Sequence, residues 1–492
     1  MNPAQTVARR TVHAPRATPT RATPGPAVPT PTSDAELDRL ITDAFDAERP
    51  HQSARRGVAR WQVVGAVAAA LGSATLALLG DGGWVLLVVA VYLALVTGLQ
   101  LLAVATHLGV RSRRVPDPVL ADEELPTYTV LLPAYREAAV VGQLMESVRA
   151  LDYPTHLLDV IVLVERHDPE TEAAVLAADP PASVRIEHVP PGTLQTKPRT
   201  CNYGLHLARG DLLVVLDAED RPEPDQLRRA AARFAAAGPS LACVQARLRV
   251  HNGSTNLLTG CFELEYAGRW SLVKPGLVRL GLPIPLGGTS NHFRTSTLRR
   301  LGGWDAWNVT EDADLGMRIA AEGLEIDMID AVTWEESVTD VRSWHRQRVR
   351  WHKGMLLTTC VHTRAPWRTW RTFGPKGVLV LVTMVAGNPL SALLGPPVLL
   401  LALVWADDHP VHPVLAVATA ATMVTSATAQ VMLSALAARD QGVTSAGRAL
   451  AATPVYWMLQ CRAAAVALVD VVRRPFVWAK TEHAGHGTGG AA

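Results

Sequence analysis

Cysteine is scarce in this chain and does not cluster. Five residues, Cys201, Cys243, Cys261, Cys360 and Cys461, form an odd set with no C-x-x-C, which argues against a disulfide framework and a zinc site and leaves buried reduced thiols. An excess of charge is also missing: 47 Lys and Arg stand against 45 Asp and Glu, a net charge of +2, so no nucleic-acid partner is expected. Neither G-x-G-x-x-G nor G-x-x-x-x-G-K-[ST] occurs, which removes most support for dinucleotide or P-loop binding. There is no Ser-His-Asp spacing and no internal repeat. What is abundant is apolar: 48% of 492 residues, with only 19% charged and a mean hydropathy of +0.13, more than a soluble enzyme's surface tolerates. At about 150 residues per domain the length suggests roughly three structural units, and a membrane protein is the leading class.

Residues 61–80 are uncharged and, at about 1.5 Å per residue, cover roughly the 30 Å of a bilayer core. A second uncharged run, 84–106, completes an expected transmembrane hairpin (61–106) with Asp81, Gly82 and Gly83 at its tip. Runs 377–406 and 413–438 are also free of charge, and 449–469 is a weaker candidate because Arg462 sits within it, at a cost unless it faces protein or water. These three make an expected carboxyl-terminal bundle, 377–470. Nine Arg precede the first span, and Arg111, Arg113, Arg114, Arg439 and Arg448 follow the second and fourth, whereas the opposing loops carry only Asp. The positive-inside rule therefore puts the amino terminus and the central segment in the cytoplasm. Five full crossings would put the tail 471–492 outside, yet Arg473, Arg474 and Lys480 favour the inside. Either 449–469 does not cross as one helix, or 377–406, interrupted by Pro389, Pro396 and Pro397, does more than cross once. No signal peptide is expected, because the first apolar run begins at Trp61. Residues 1–32, rich in Pro, Thr, Ala and Arg, are expected to be disordered. A cytoplasmic helix is expected within 33–60, from 34 to about 48, with Ser33 and Glu36 as its capping box. The basic tract before the first span would attract anionic lipid.

Between the spans the pattern changes. Residues 127–132, 160–164, 184–189 and 212–216 read as strands, and 137–150, 199–208 and 225–237 as helices; this alternation predicts a parallel sheet covered on both faces. In such sheets ligands sit beyond the carboxyl ends of strands. There the sequence is acidic and aromatic: Tyr135 and Glu137 after the first strand, Glu165 and Asp168 after the second, and Asp217, Glu219 and Asp220 after the fourth. Carboxylates converging from three strand ends would repel one another unless a positive group sat among them, and a divalent cation on a diphosphate meets that need. Lys197, opening a helix, adds a phosphate contact. Each acidic string alone is more often a solvated turn or helix cap; the recurrence at successive strand ends is what argues for a site.

These residues resemble glycosyltransferase family 2, in its membrane-embedded branch of cellulose, chitin and hyaluronan synthases. DAED, GGTSNHF and the terminal 478–483 segment most resemble the bacterial XagB-like exopolysaccharide branch. The resemblance covers about 127–354 and implies an α/β GT-A fold, the nucleotide-diphospho-sugar transferase domain, over 116–340, inserted between α-helical transmembrane segments. It also implies a UDP-sugar donor, a polysaccharide or glycan acceptor, and Mg2+ or Mn2+ as cofactor. Tyr135 and Glu137 look like the uracil and ribose contact, and Glu165 or Asp168 like the base-recognising acid. The segment from Asp217 to Asp220 looks like the DxD element, with Glu219 or Asp220 as metal ligand. Thr289 and Ser290 in GGTSN resemble the loop beside the acceptor sugar. Thr310-Glu311-Asp312 matches the TED motif, with Asp312 as catalytic base beside Glu311. Gln347, Arg350 and Trp351 match QxxRW, in an amphipathic interface region at 341–372.

In an inverting transfer the base must stand across from the leaving diphosphate, and Asp312 lies on a segment separate from Asp217. The first expectation is a processive synthase of the bacterial inner membrane that extends a β-linked polysaccharide from its cytoplasmic domain and exports it. Two alternatives stand beside it: a single-transfer glycolipid enzyme, and a non-catalytic transporter or scaffold.

Overall fold

The computed structural model describes residues 33–79, 82–110, 117–408 and 413–477. The expected disordered tail 1–32, the hairpin tip at Asp81, the basic residues Arg111, Arg113 and Arg114, and the 478–483 motif lie outside the described residues.

The central domain is built on eight strands: β1 (Tyr128–Ala134), β2 (Leu158–Glu165), β3 (Val184–Val189), β4 (Leu212–Val215), β5 (Arg221–Pro222), β6 (Leu241–Val250), β7 (Asn291–Arg294) and β8 (Glu325–Glu335). Their order in the sheet is β3-β2-β1-β4-β7-β6-β8-β5. The four strands read from sequence are present and mutually parallel. The expectation of a wholly parallel sheet is corrected by β7, which runs antiparallel to both β4 and β6, and by β5, antiparallel to β8. The reversal has a functional consequence. A parallel strand delivers the loop after it to the site edge, whereas β7 delivers the loop before it: Asn291 pairs with Val215 at the end of β4. Gly287 to Ser290 thus arrive at the same edge as the segments following β1, β2, β4 and β8.

Both faces of the sheet are covered, as their near-continuous apolar runs require. One face packs Val130, Leu132, Val160 and Val162 under helices that include Val141–Arg149 and Gln226–Ala236. The other packs Leu131, Ile161, Leu163 and Phe293 under Lys197–Leu207 and Glu311–Ala321. The expected helix 137–150 begins only at Val141. The preceding turn places Arg136 at φ 53, so that its N–H reaches Asp168 Oδ2 at 2.5 Å.

Among the described residues four helices are long and apolar enough to cross a membrane: Arg60–Leu78, Gly82–Gly109, Val417–Gln441 and Ala446–Arg473. A fifth crossing is possible if Pro366–Val385 and Gly387–Leu401, bent by 48°, form one span. Arg60–Leu78 buries no residue against protein, as expected of a lipid-facing helix. Arg462 is exposed, while Tyr456 and Gln460, on the same helix, pack on helix Val341–Thr363. Lys353 on that helix donates to the carbonyls of Arg474 at 3.1 Å and Val477 at 2.6 Å. The segment after the last helix is therefore tied to the central domain.

The domain is seated on its membrane helices through a close approach. Helix Lys274–Arg279 meets helix Gly82–Val110 where a Cβ on Gly276 would stand 2.0 Å from the Ala103 carbonyl oxygen. Backbone on backbone leaves no flexible side chain to yield. Gly276→Ala is expected to cost on the order of 1–3 kcal/mol through forced separation, seen as a lower midpoint of thermal unfolding in detergent. Gly238→Ala, where the nearest neighbour atom is 4.0 Å away, should leave the midpoint unchanged.

Candidate active site

The strand ends open on one cavity of about 590 Å³. It begins at Tyr135, Glu165 and Asp217 and continues between the apolar helices, where Thr97, Gln100, Asn388, Ser391, Gln430 and Ser434 share its wall with Leu93, Val96, Leu399 and Met423. Of the residues singled out from sequence, Tyr135, Glu137, Glu165, Lys197, Asp217, Glu219, Thr289, Glu311, Asp312, Gln347, Arg350 and Trp351 line it.

At the β1 and β2 ends, Tyr135 stands edge-on to His167, centroids 5.7 Å apart, with the Arg136 guanidinium 5.1 Å from its ring centroid. Glu165 accepts from Thr200 Oγ1 at 3.1 Å; burial raises its pKa, partly countered by Arg199. Asp168, by contrast, is taken up by the backbone. It caps helix Pro169–Ala177 by accepting from Thr171 N at 3.3 Å, and also accepts from Thr171 Oγ1 at 2.7 Å and Arg136 N. Of the two candidates for a base-recognising acid, Glu165 faces the cavity and Asp168 shapes the loop.

The acidic segment after β4 divides in the same way. Asp217 and Glu219 are on the wall, whereas Asp220 is buried beneath it. Asp220 Oδ2 accepts from Asp217 N at 2.7 Å and from Thr289 Oγ1, locking the β4 loop to the β7 loop. Burial and the neighbouring acids, Asp217 foremost, push its pKa well above the usual carboxylate range. Ser290 is fully buried and bonds Thr333 Oγ1 at 2.6 Å; it holds β7 against β8 and does not line the cavity.

Lys197 answers this negative charge. Its ammonium pairs with Asp217 and donates to the Gly288 carbonyl at 2.5 Å. Burial disfavours its charge, but Asp217 and Asp312 raise its pKa above the ordinary lysine value. Glu335, at the end of β8, also lines the cavity and is pushed up to about 8 by burial and by repulsion from Asp217 and Glu219. Asp217 and Glu219 could hold a hard divalent cation whose remaining ligands are diphosphate oxygens. Among the described residues no group of three or more His, Cys, Asp and Glu forms a cage by itself, so the carboxylate pair fits such an ion only with ligand oxygens.

Asp312 lies on the first turn of helix Glu311–Ala321. Its Oδ1 accepts from Trp304 Nε1 at 3.3 Å, which fixes the carboxyl, and burial, outweighing the pull of Lys197, pushes its pKa up to about 6. Glu311 is raised well above the usual range by burial and by Asp312. Two residues on, and so on the other side of the helix, Asp314 serves structure. It accepts from Arg318 Nε at 2.8 Å and pairs with His362 Nε2 at 2.7 Å, joining this helix to Val341–Thr363.

Helix Val341–Thr363 brings Gln347, Arg350 and Trp351 to the wall. Trp351 stacks on Tyr266, centroids 6.4 Å apart, and the Arg348 guanidinium lies 4.4 Å from its ring centroid. Sequence reasoning missed what holds this helix. Glu265 accepts from Arg348 at 2.8 Å, Arg269 at 3.0 Å, Tyr456 at 2.8 Å and Gln460 at 3.2 Å. No sequence signal marks Glu265, whose partners come from distant segments. Lys274, its Nζ 3.4 Å from the Trp270 ring centroid, was also missed. Glu335 was legible: an apolar-rich stretch, 325–334, runs into Glu335-Glu336, the strand-then-acid pattern that located the other acids.

A family model described as glycosyltransferase like family 2 matches residues 126–354. A probable glycosyltransferase, YdaM of Bacillus subtilis (strain 168), is 29% identical over 251 residues, 47% of this chain and 56% of its own length. A beta-monoglucosyldiacylglycerol synthase of Synechocystis sp. is 26% identical over 290 residues, 58% of this chain and 59% of its own. Glucomannan 4-beta-mannosyltransferase 2 of Arabidopsis thaliana is 25% identical over 295 residues, 55% of each. The chain thus spans little more than half the length of these curated relatives. Among solved structures, the mannosyltransferase PcManGT of Pyrobaculum calidifontis, in complex with GDP-Man and Mn2+, superposes with a TM-score of 0.51 at 20% identity, covering 79% of this chain and 99% of that one. This likeness supports the GT-A-like fold.

Glu265→Ala leaves Arg348 and Arg269 without their shared carboxylate. Removing one partner of a buried pair costs about 3–5 kcal/mol, so the variant should unfold at a clearly lower temperature than Glu123→Ala, an exposed control, in the same detergent.

Proposed function

From the premise that residues 126–354 are a glycosyltransferase family 2-like domain of GT-A-like fold, we propose that the protein transfers a sugar from a UDP-sugar to a growing β-linked glycan. The acceptor occupies the intramembrane arm of the cavity and the product is extended processively, in the manner of the XagB-like exopolysaccharide synthases. The protein works as a multi-pass enzyme of a bacterial inner membrane with its catalytic domain in the cytoplasm. One observation supports this reading above the rest: a single cavity joins the Asp217–Glu219 acids, the Asp312 carboxyl and Trp351 to a wall between apolar helices that carries Thr97, Gln100, Asn388, Ser391, Gln430 and Ser434. Such side chains suit sugar hydroxyls, which need hydrogen-bond partners when withdrawn from water.

Tyr135, Glu137 and Glu165 bind the nucleoside, and Lys197 and Arg350 the diphosphate. Held by Asp217 and Glu219, Mg2+ or Mn2+ would neutralise charge on the leaving diphosphate as a Lewis acid. Asp312 takes the proton from the acceptor hydroxyl, whose oxygen bonds the anomeric carbon as the bond to the diphosphate breaks, inverting configuration and releasing UDP. Glu311 flanks Asp312, and burial keeps the proton on Glu311 so that the pair does not carry two adjacent charges. Gln347, Thr289 and Trp351 orient the acceptor. The domain limits expected from sequence, with the transferase at 116–340 and the interface helix at 341–372, are retained in this proposal.

A glycolipid product is the second reading. Leu93, Val96, Leu399 and Met423 on the same wall would suit an acyl chain, and one relative is named as a synthase of beta-monoglucosyldiacylglycerol. Membranes given radiolabelled UDP-sugars with Mg2+ or Mn2+ decide between them: a polymer of high mass supports the first, a chloroform-soluble product the second, and absence of metal-dependent UDP release rejects both in favour of a non-catalytic scaffold.

Asp312→Asn should lower turnover by about 10²–10⁴, the usual worth of a positioned base. The base acts deprotonated, so the wild-type rate should fall about tenfold per pH unit below its pKa of about 6 and level off above it. The residual rate of Asp312→Asn should lack that limb; an unchanged profile would reject Asp312 as the base.

A further inference from the structure

Helix Asp34–Glu48 buries Ile41, Thr42 and Phe45 against the transferase domain. The Ile41 carbonyl accepts from Asn202 Nδ2 at 3.0 Å, and Phe45 lies beneath the Arg318 guanidinium, 4.4 Å from ring centroid to Cζ. Its Asp38 then reaches a fully buried arginine behind the nucleotide pocket. Asp38 Oδ1 accepts from Arg199 Nε at 2.9 Å and pairs with Nη2 at 2.9 Å, while Nη2 also donates to the Pro190 carbonyl at 2.6 Å. Nη1 has no hydrogen-bond partner among the described residues and stands 3.9 Å from Glu165 Oε1, beyond hydrogen-bond reach. The contact is built tightly: a Cβ on Gly192 would lie 2.2 Å from Asp38 Oδ1 and 2.3 Å from Arg199 Nη2.

A guanidinium offers a planar fork of donors that a nearby carboxylate engages in two parallel bonds. Arg199 has two carboxylates beside it and hydrogen-bonds only Asp38. We infer that Asp38 is a positioning residue for the donor pocket: by engaging Arg199 it keeps the guanidinium from closing on Glu165 and leaves that carboxylate on the cavity wall for the nucleoside. The inference rests on the reading of Glu165 as a donor contact. It makes the amino-terminal helix, which lies outside the 126–354 match, part of what sets donor affinity.

UDP binding to the detergent-purified full chain, measured by isothermal titration, tests it. Asp38→Asn keeps the shape of the side chain and removes its charge, which lowers the thermal midpoint by leaving the buried Arg199 without its paired charge; at a temperature where the variant is fully folded, UDP should bind about tenfold more weakly. Adding Arg199→Gln removes the competitor, and affinity should return to within about threefold of wild type. Asp34→Asn, on the same helix as Asp38, breaks the 2.5 Å pair with Arg166 that follows β2 and should bind UDP as wild type does. Wild-type affinity in Asp38→Asn, a double variant weaker than the single, or equal loss in Asp34→Asn would each overturn the inference while leaving the transferase reading intact. Should the wild-type chain bind neither UDP nor GDP, the donor reading falls and this inference with it.

Discussion

The site is organised by repulsion among carboxylates brought to one edge of a sheet. Asp217, Glu219, Asp220 and Glu335 arrive from two strand ends, with Glu311 and Asp312 across from them on a helix, and most carry pKa values displaced upward. Burial alone would make such a cluster costly. Lys197, paired with Asp217 and felt by Asp312, is the fixed counter-charge that lets the two acidic groups face one cavity. Several acids must still share protons or find a cation, and that demand underlies both proposals made for the site, a bound divalent ion and Asp312 as base.

What was legible in the sequence follows from how local each signal is. The parallel strands were readable because buried strands are continuous apolar runs, and the acids at their ends stood out against them. β7 was not readable, because its four residues, Asn291–Arg294, owe their extended form to pairing with β4 and β6 rather than to their own pattern. Within the motifs, residue type did not reveal direction: Asp168, Asp220 and Ser290 belong to site-like strings, yet each is spent on backbone or neighbouring loops. The turn in which Asp220 N donates back to the Asp217 carbonyl, not motif membership, separates Asp217 and Glu219 on the cavity wall from Asp220 beneath it. Glu265 and Arg199 escaped because their meaning lies in partners on other elements, Arg348, Tyr456 and Gln460 for the first and Asp38 for the second.

The transferase domain and the membrane helices form one mechanical body. Glu265 binds Arg348 beside Trp351 and also Tyr456 and Gln460 of the last apolar helix, while Gly276 seats the domain on helix Gly82–Val110. A wall residue of the cavity cannot shift far without disturbing a buried ion pair or a backbone contact. The aromatic at the cavity's waist is thereby registered against the helices beyond it.

The reversed strand β7 carries an implication for how such enzymes diversify. Because it enters the sheet head first, the stretch leading into it, rather than the one trailing it, overlooks the reaction centre. Helices Leu257–Ala267 and Lys274–Arg279, with Trp270 and Lys274, all lie in that leading stretch. Part of the cavity lining can therefore be rewritten within one contiguous cassette, between β6 and β7, while β1, β2 and β4 keep their register.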